Sequence, residues 1–455
     1  MHLANVIAFL KQTDELATAK TLLTTFAKYA NSLQQYDELG MLFEKVKAYP
    51  ESLQMLEKCI SFAQTEDQKY SIYANFAKVY NHVNNPDMSI YYCNLILQKF
   101  PNDFEAKMEL SFSHYLKNDT ETSYNIQNQL LSIPNLPENV ANRIRFNMGS
   151  FELMKGNFKS GMKNMIFGGR DIKIYPRIPS PFPRWNGNKD TKATVIVYAE
   201  SGIGDEIINI RFMKEFEKYG IKAVWLDVRK DLSLLFRRNG YNSIDNINEL
   251  PKGDYVMCEA MSLPILLDVE QSELWNGPYL QPSAVHIEKW KKLLPEKFMT
   301  VRWSGNPFYD QDLHRTVNKD DLISALQKYN MPLISLQIDS KGADSRVTDV
   351  DIESWEDTLA IQYLAFMNVT SCTSTGHSAS SIGAPCIILP PIATYYTWLP
   401  LKSDNTSYWY GSSTKVYPQK IHKDWSDPIR LACEHIEEKL DDEVRKNSSL
   451  HNSQE

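Results

Sequence analysis

Four prolines fall within IYPRIPSPFPRWNG, residues 174–187. Proline has no backbone N–H and holds φ near about −65°, so a run this dense forbids helix and imposes extended backbone. The hydrophobic pattern changes period across the run. Upstream, apolar residues recur at helical spacing with almost no strand signal. Downstream, short apolar runs alternate with helical or loop segments. A chain patterned this way folds as a helical region, a semi-rigid strap and an α/β region. Its 455 residues suffice for two or three separate cores.

Within the helical region the pattern breaks at YPES (49–52), NNPDMS (84–89), KNDTET (117–122) and KGNFKSG (155–161). Neighbouring breaks lie roughly 34 residues apart, the period of a tetratricopeptide helix–turn–helix unit. The unit from Tyr70 is the clearest: Ala77, Tyr80, Ser89, Cys93, Ile96 and Pro101 supply its small, aromatic, bulky and terminating positions. The stretch before Tyr70 fits less well, and an irregular helical bundle is the plainer alternative. Repeats of this kind present a concave binding surface and offer a face for self-association.

Beyond the strap, TVIVYAE (194–200), AVWLDV (223–228), YVMCEA (255–260), FMTVRWS (298–304), LISLQ (333–337), FMNVTSC (366–372) and CIILPP (386–391) read as strands. Strand–helix alternation at this spacing implies parallel sheets with crossover helices. GPYLQPS (277–283) divides them into two. The expected organisation is a repeat domain over 1–172, a linker over 173–190, a first α/β domain over 191–285 and a second over 286–446. SDPIRLACEHIEEKL (426–440) reads as a final helix, and 447–455 as a disordered tail.

Six cysteines are scattered without a CxxC pair or nearby histidines, which points to reduced thiols rather than disulfides or a zinc site. MHLANVIAFLKQTDE lacks the basic start of a signal peptide, and no stretch approaches the ~20 apolar residues of a membrane span. A cytoplasmic protein without membrane insertion is expected. The net charge of −7 disfavours chain-wide binding to polyanions. One window opposes it: from Arg143 to Lys192 eleven basic residues face three acids, with aromatics interleaved. A solvated helical face accounts for this window, and so does a surface for nucleic acid, lipopolysaccharide or a sugar nucleotide.

The first strand runs into AESGIGDEIINIRF (199–212). Gly-x-Gly at a strand-to-helix junction lets a ligand approach bare backbone, and a helix N-terminus favours anions. The third glycine of a dinucleotide fingerprint is missing. Asp205 caps the helix start equally well as it serves a reaction, and spacing alone leaves both readings open.

This segment resembles the opening of the catalytic part of tetratricopeptide proteins fused to a family 9, heptosyltransferase-like glycosyltransferase. PSPFPRWNG, VRWSGNP (301–307), HRT (314–316), SLQ (335–337), WEDTLA (355–360), TSCTSTGHSASSIGAP (370–385), YYTW (395–398), SYWYG (407–411) and DW (424–425) follow in matching order. The resemblance covers the chain from Asn147 onward. It implies a GT-B fold of two Rossmann-like domains with donor and acceptor meeting between them. It assigns Asp205 the role of general base in an inverting, metal-independent transfer, with Ser201, Gly202 and Gly204 forming the acceptor-side turn and Arg211 on the helix that follows.

On the donor side the resemblance points to Trp303, Ser304, Asn306, Arg315 and Gln337, and to Thr373, Ser374, Thr375, Gly376, His377 and Ser378 at the start of a small-residue helix. His377 would meet the leaving phosphates and Arg315 their charge; Gln337 would meet the base. Glu356 and Asp357 open a helix, where acids are favoured with or without a ligand. Trp398, Tyr408 and Trp409 offer rings for stacking or core packing. Relatives commonly carry an aspartate where this chain has Cys372. No cofactor is implied beyond a nucleotide-sugar co-substrate, with UDP or ADP as the nucleotide. The acceptor is a glycan, a protein or DNA. Two alternatives follow: a phage-type glycosyltransferase acting on hydroxymethylated DNA bases, and a non-catalytic repeat adaptor on a sugar-nucleotide-binding scaffold.

Overall fold

The computed structural model describes residues 16–171, 182–200, 202–227, 229–306, 309, 312–337, 341–342 and 344–452. Ser201 and most of the proline strap therefore lie outside the described residues. The chain divides into two compact units between Pro134 and Asn135.

The first unit is helical: α1 (Leu16–Ala27), α2 (Leu33–Lys45), α3 (Tyr49–Phe62), α4 (Glu66–His82), α5 (Pro86–Lys99), α6 (Phe104–Leu116) and α7 (Thr120–Leu131). The helices form the hairpins α2–α3, α4–α5 and α6–α7, each closed by the same turn. Lys47, Asn84 and Asn118 take positive φ of 59°, 57° and 65°. The next N–H donates back across the turn: Ala48 to the Phe43 carbonyl, Asn85 to Tyr80 and Asp119 to His114, each at 2.8–2.9 Å. These bonds satisfy helix-end carbonyls that would otherwise lack donors. The turns coincide with the breaks read from the sequence. Ala77, Ser89 and Cys93, read as small interface positions, are fully buried.

The second unit opens with another hairpin, α8 (Glu138–Met154) and α9 (Phe158–Asp171), whose turn uses Gly156 at φ 85°. This pair groups with the α/β region, although the chain pattern placed the boundary at 172. The physical reason is packing: Leu153, Phe158, Met162 and Met165 join the core of the first sheet, and Phe158 meets Trp409 edge-on at 6.2 Å.

Two parallel sheets follow. The first has the order β3-β2-β1-β4, from β1 (Thr194–Tyr198), β2 (Ala223–Leu226), β3 (Ser243–Ile244) and β4 (Tyr255–Glu259). β1 lies between β2 and β4, with Val195 opposite Ala223 and Val256. The strap reaches this sheet's edge, where Trp185 N donates to the Met257 carbonyl at 2.8 Å. The second sheet has the order β7-β6-β5-β8-β9-β10, from β5 (Met299–Arg302), β6 (Leu333–Ser335), β7 (Thr348–Asp349), β8 (Met367–Ser371), β9 (Cys386–Leu389) and β10 (Thr414–Val416). In both sheets the strand order reverses beside the first strand, at β1/β4 and at β5/β8. Open parallel sheets bind ligands outside the carboxyl ends of their strands at such reversals.

Helices α10 (Ile203–Asn209) and α11 (Lys230–Arg238) connect the first sheet; α12 (Ala284–Leu293), α13 (Lys319–Gln327), α14 (Trp355–Leu364) and α15 (Ser374–Ser381) serve the second. The closing helix α16 (Ser426–Asn452) extends through most of the stretch expected as a disordered tail. Val195, Ile196 and Val197 of β1 are fully buried, as are all residues of β8. A strand covered on both faces can read as an unbroken apolar run, as Val195–Val197 does, whereas β8 buries Asn368, Thr370 and Ser371 among its apolar residues. The edge strands β3, β7 and β10 are only two or three residues long and escaped the pattern. Among the described residues no helix is long and apolar enough to cross a membrane.

Candidate active site at the facing strand ends

The turn after β1 delivers Asp205 to the first turn of α10, half-buried at the carboxyl edge of the first sheet. Its Oδ2 accepts from the Gly202 N–H at 3.0 Å, so the capping role is real. Its Oδ1 accepts from the Tyr395 hydroxyl at 2.5 Å, a contact spanning 190 residues of chain. A carboxylate oxygen has two lone pairs, so neither bond exhausts the group's capacity to take a proton. Tyr395 was quoted in the sequence only as part of a motif; its pairing with Asp205 had no local signal.

Gly204 packs against α15 of the second sheet. A Cβ there would stand 2.7 Å from His377 Cδ2 and 3.5 Å from Ser374 Cα. The glycine turn and the start of α15 thus face each other directly. His377 is 5% exposed. Its Nδ1 lies 2.6 Å from the Tyr410 hydroxyl, and its ring stacks on Trp398 at 4.4 Å. Burial, seconded by nearby Arg211, pushes the imidazole down to about 3, so His377 is neutral at physiological pH.

The residues expected to hold phosphates behave differently from one another. Ser374 is partly exposed at the start of α15, where no side chain among the described residues caps the helix. Thr373 and Thr375 are buried, with hydroxyls 2.7 Å apart and both within 3.0 Å of Thr370 Oγ1. Ser378 donates to Gln362 Oε1 at 2.7 Å, and Gly376 is packed under Ile388 and Trp398. These side chains hold the helix to its sheet, and Ser374 is the one of the six that is partly exposed at this end. Cys372 is buried, and its thiol is pushed above its usual range. Its Sγ accepts from Trp398 Nε1 at 3.1 Å and its carbonyl from Arg315 Nη1 at 3.1 Å.

Arg315 lies across the bare backbone of Gly305, where a Cβ would come within 1.9 Å of Nη2. Asp312 fixes it: Oδ1 accepts from Arg315 Nε at 2.7 Å and from Gly305 N at 3.1 Å. The glycine of W-S-G-N-P thus leaves room for the arginine in this position. Ser304 N donates to Gln337 Oε1 at 3.1 Å, and Asn306 is exposed. Trp303 instead belongs to the core of the second sheet. Gln337 also borders a cavity of about 280 Å³ at the ends of β6 and β7, lined by Ser335, Lys341 and the 349–353 stretch with its acids Asp349, Asp351 and Glu353. Lys341 and the 349–353 stretch escaped sequence reasoning because nothing in their local pattern marks a lining.

Other candidates serve structure. Arg211 is buried, donating to the Leu274 and Trp409 carbonyls at 2.7 Å and to Tyr279 Oη at 2.8 Å. Glu356 pairs with Arg238, while Asp357 accepts from Lys289 Nζ at 2.9 Å and Trp290 Nε1 at 2.7 Å. Trp398 and Trp409 are core residues, whereas Tyr408 is partly exposed. In the basic window, Lys159 pairs with Glu270, Arg184 with Glu259 and Lys189 with Asp268.

Sequence reasoning also missed two buried acids. Glu200, just after β1, accepts from Ala260 N and Met261 N at 2.9 Å, and burial pushes its carboxyl up to about 8. Glu206 follows Asp205 and pairs with Arg229.

No protein-family model matches the chain, and no curated protein matches it either. Among solved structures, ADP-heptose lipopolysaccharide heptosyltransferase II of E. coli aligns over 55% of this chain and 99% of its own, at 12% identity and a TM-score of 0.38. A family 9 glycosyl transferase of Veillonella parvula aligns over 55% and 96%, at 9% identity and a TM-score of 0.37. An O-GlcNAc transferase of Thermobaculum terrenum aligns over 84% and 94%, at 10% identity and a TM-score of 0.30. Likeness at this level assigns no activity.

Proposed function

We propose that the protein is an inverting, metal-independent glycosyltransferase that moves a sugar from a nucleotide-sugar donor to an acceptor hydroxyl. The observation that carries this reading is the contact between Gly204 and the start of α15. That contact sets a half-buried carboxylate near a helix N-terminus, at the strand ends of two parallel sheets. The two sheets are read as the Rossmann-like halves of a GT-B fold, and the helical hairpins as tetratricopeptide-like repeats that position the acceptor.

In this mechanism Asp205 accepts the proton of the acceptor hydroxyl as its oxygen attacks the anomeric carbon. The bond from that carbon to the diphosphate oxygen breaks, and the nucleoside diphosphate leaves. The N–H groups at the start of α15 and the Arg315 guanidinium take up the negative charge that develops on it. Tyr395 and Gly202 hold the carboxylate in place. Gln337 and the cavity beyond it receive the base end of the donor. UDP and ADP sugars are the first donors to try. A glycan, a protein and DNA are the acceptors to compare.

The test is nucleotide release from a panel of UDP-, ADP- and GDP-sugars, with and without acceptors that include hydroxymethylated DNA. Saturable nucleotide binding without release from any donor would instead establish a binding scaffold.

A further inference from the structure

Behind Asp205, on the same helix, lies an arrangement that ordinary charge states do not explain. Glu206 of α10 and Asp227 at the end of β2 are each 1% exposed. Glu206 Oε1 pairs with the Arg229 guanidinium, and Asp227 Oδ1 accepts from the Arg229 backbone N–H at 2.8 Å. That leaves Glu206 Oε2 and Asp227 Oδ2, both buried with no hydrogen-bond donor among the described residues. The two side chains are within hydrogen-bonding reach of each other. Two ionised carboxylates beside a single guanidinium leave one buried negative charge uncompensated, and an orphaned buried oxygen is costly. A proton between the two orphans removes both difficulties.

We infer that Glu206 and Asp227 share one proton between Oε2 and Oδ2, forming with Arg229 a buried group of zero net charge that ties the start of α10 to β2 and so positions Asp205. Glu206 and Asp227 are positioning residues; the importance of what they position rests on the general-base reading of Asp205. Among the described residues, the charged and titratable groups that act most strongly on Glu206 are Asp227, Arg229 and Asp205. Across α10, His377 faces Gly204 as a neutral ring, and Glu200 caps the 260–261 backbone. Burial first, and then Asp227, push the Glu206 carboxyl well above its usual range.

A carboxyl whose folded pKa is raised binds its proton more tightly in the folded chain, so its contribution to stability falls as pH rises above about 4.5 toward the folded value. Urea unfolding of the full chain between pH 5 and 9 tests the sharing. Glu206→Gln supplies a permanent donor to Asp227, and its stability relative to wild type should climb with pH. Asp227→Asn supplies the donor from the other side and leaves an ionised Glu206 to balance Arg229. Each single variant should lower the folding equilibrium constant less than tenfold at pH 7. The double variant, which strands the Arg229 charge, should lower it at least tenfold beyond their product. Additive losses, or a Glu206→Gln difference that is flat with pH, would overturn the shared proton.

Amide hydrogen exchange over 203–209 tests positioning without reference to activity. Protection corrected for intrinsic exchange should fall in wild type from pH 6 to 9 and hold in Glu206→Gln. Equal protection profiles would overturn the positioning role. Failure of every donor to release nucleotide would overturn the proposed transfer and leave both of these results standing.

Discussion

Gly204 lies against the face of His377, and the imidazole has no room to withdraw because it stacks on Trp398 and bonds Tyr410. Gly204→Ala should therefore destabilise the protein by about 1–3 kcal/mol, as overpacking into a fixed neighbour does. Urea unfolding reads the loss; a fully stable Gly204→Ala variant would mean that the turn and α15 are not in contact. The G-x-G-D spacing was legible in the sequence because a strand, a tight turn and a helix cap are all local. The groups that surround Asp205 were not. Tyr395 reaches it from 190 residues away, and Asp227 neighbours Glu206 from the end of another strand. The hydroxyls of Thr373, Thr375 and Ser378 illustrate the same limit in reverse. Composition marks a helix start rich in hydroxyls, but only packing decides which of them face inward.

At the scale of elements, the recurring helix hairpins were the most readable feature, since each turn carries the same backbone demand. Asn84 holds φ 57° between α4 and α5, a conformation that asparagine tolerates, glycine adopts freely and β-branched residues resist. Asn84→Val should cost about 1–2 kcal/mol, while Asn84→Gly should stay within a few tenths of wild type. Thermal unfolding of both variants checks the pair, and equal losses would show that side-chain contacts rather than φ set this turn. The strand β1 was legible for a different reason, because both of its faces are covered and it reads as an apolar run. The placement of α8 and α9 was not readable, since their helical period says nothing about which core they join. Phe158 and Met162 carry that information only once Trp409 and the first sheet are in place.

Across the α/β unit, one hydrophobic core runs from Phe212 and Phe216 of the first half to Ala379, Trp398 and Tyr410 of the second. Arg211 is the polar counterpart of that continuity. It binds carbonyls from both halves and lies 4.2 Å from the Tyr279 ring centroid. A lysine cannot reproduce its planar set of donors. Arg211→Lys leaves buried carbonyls without donors and should cost about 3 kcal/mol. Differential scanning calorimetry should show the α/β transition moving down as one peak, and an unchanged transition would deny the arginine this joining role. What joins the halves also holds the two strand-end edges face to face, and the assignment of activity depends on that arrangement. The most direct measurement compares nucleotide release by wild type and Asp205→Asn with each donor sugar. Asparagine keeps the cap on Gly202 N–H but cannot take a proton, so folding should persist while turnover falls by about 10²–10⁴-fold. Release that survives in the Asp205→Asn variant at the wild-type rate would contradict the account.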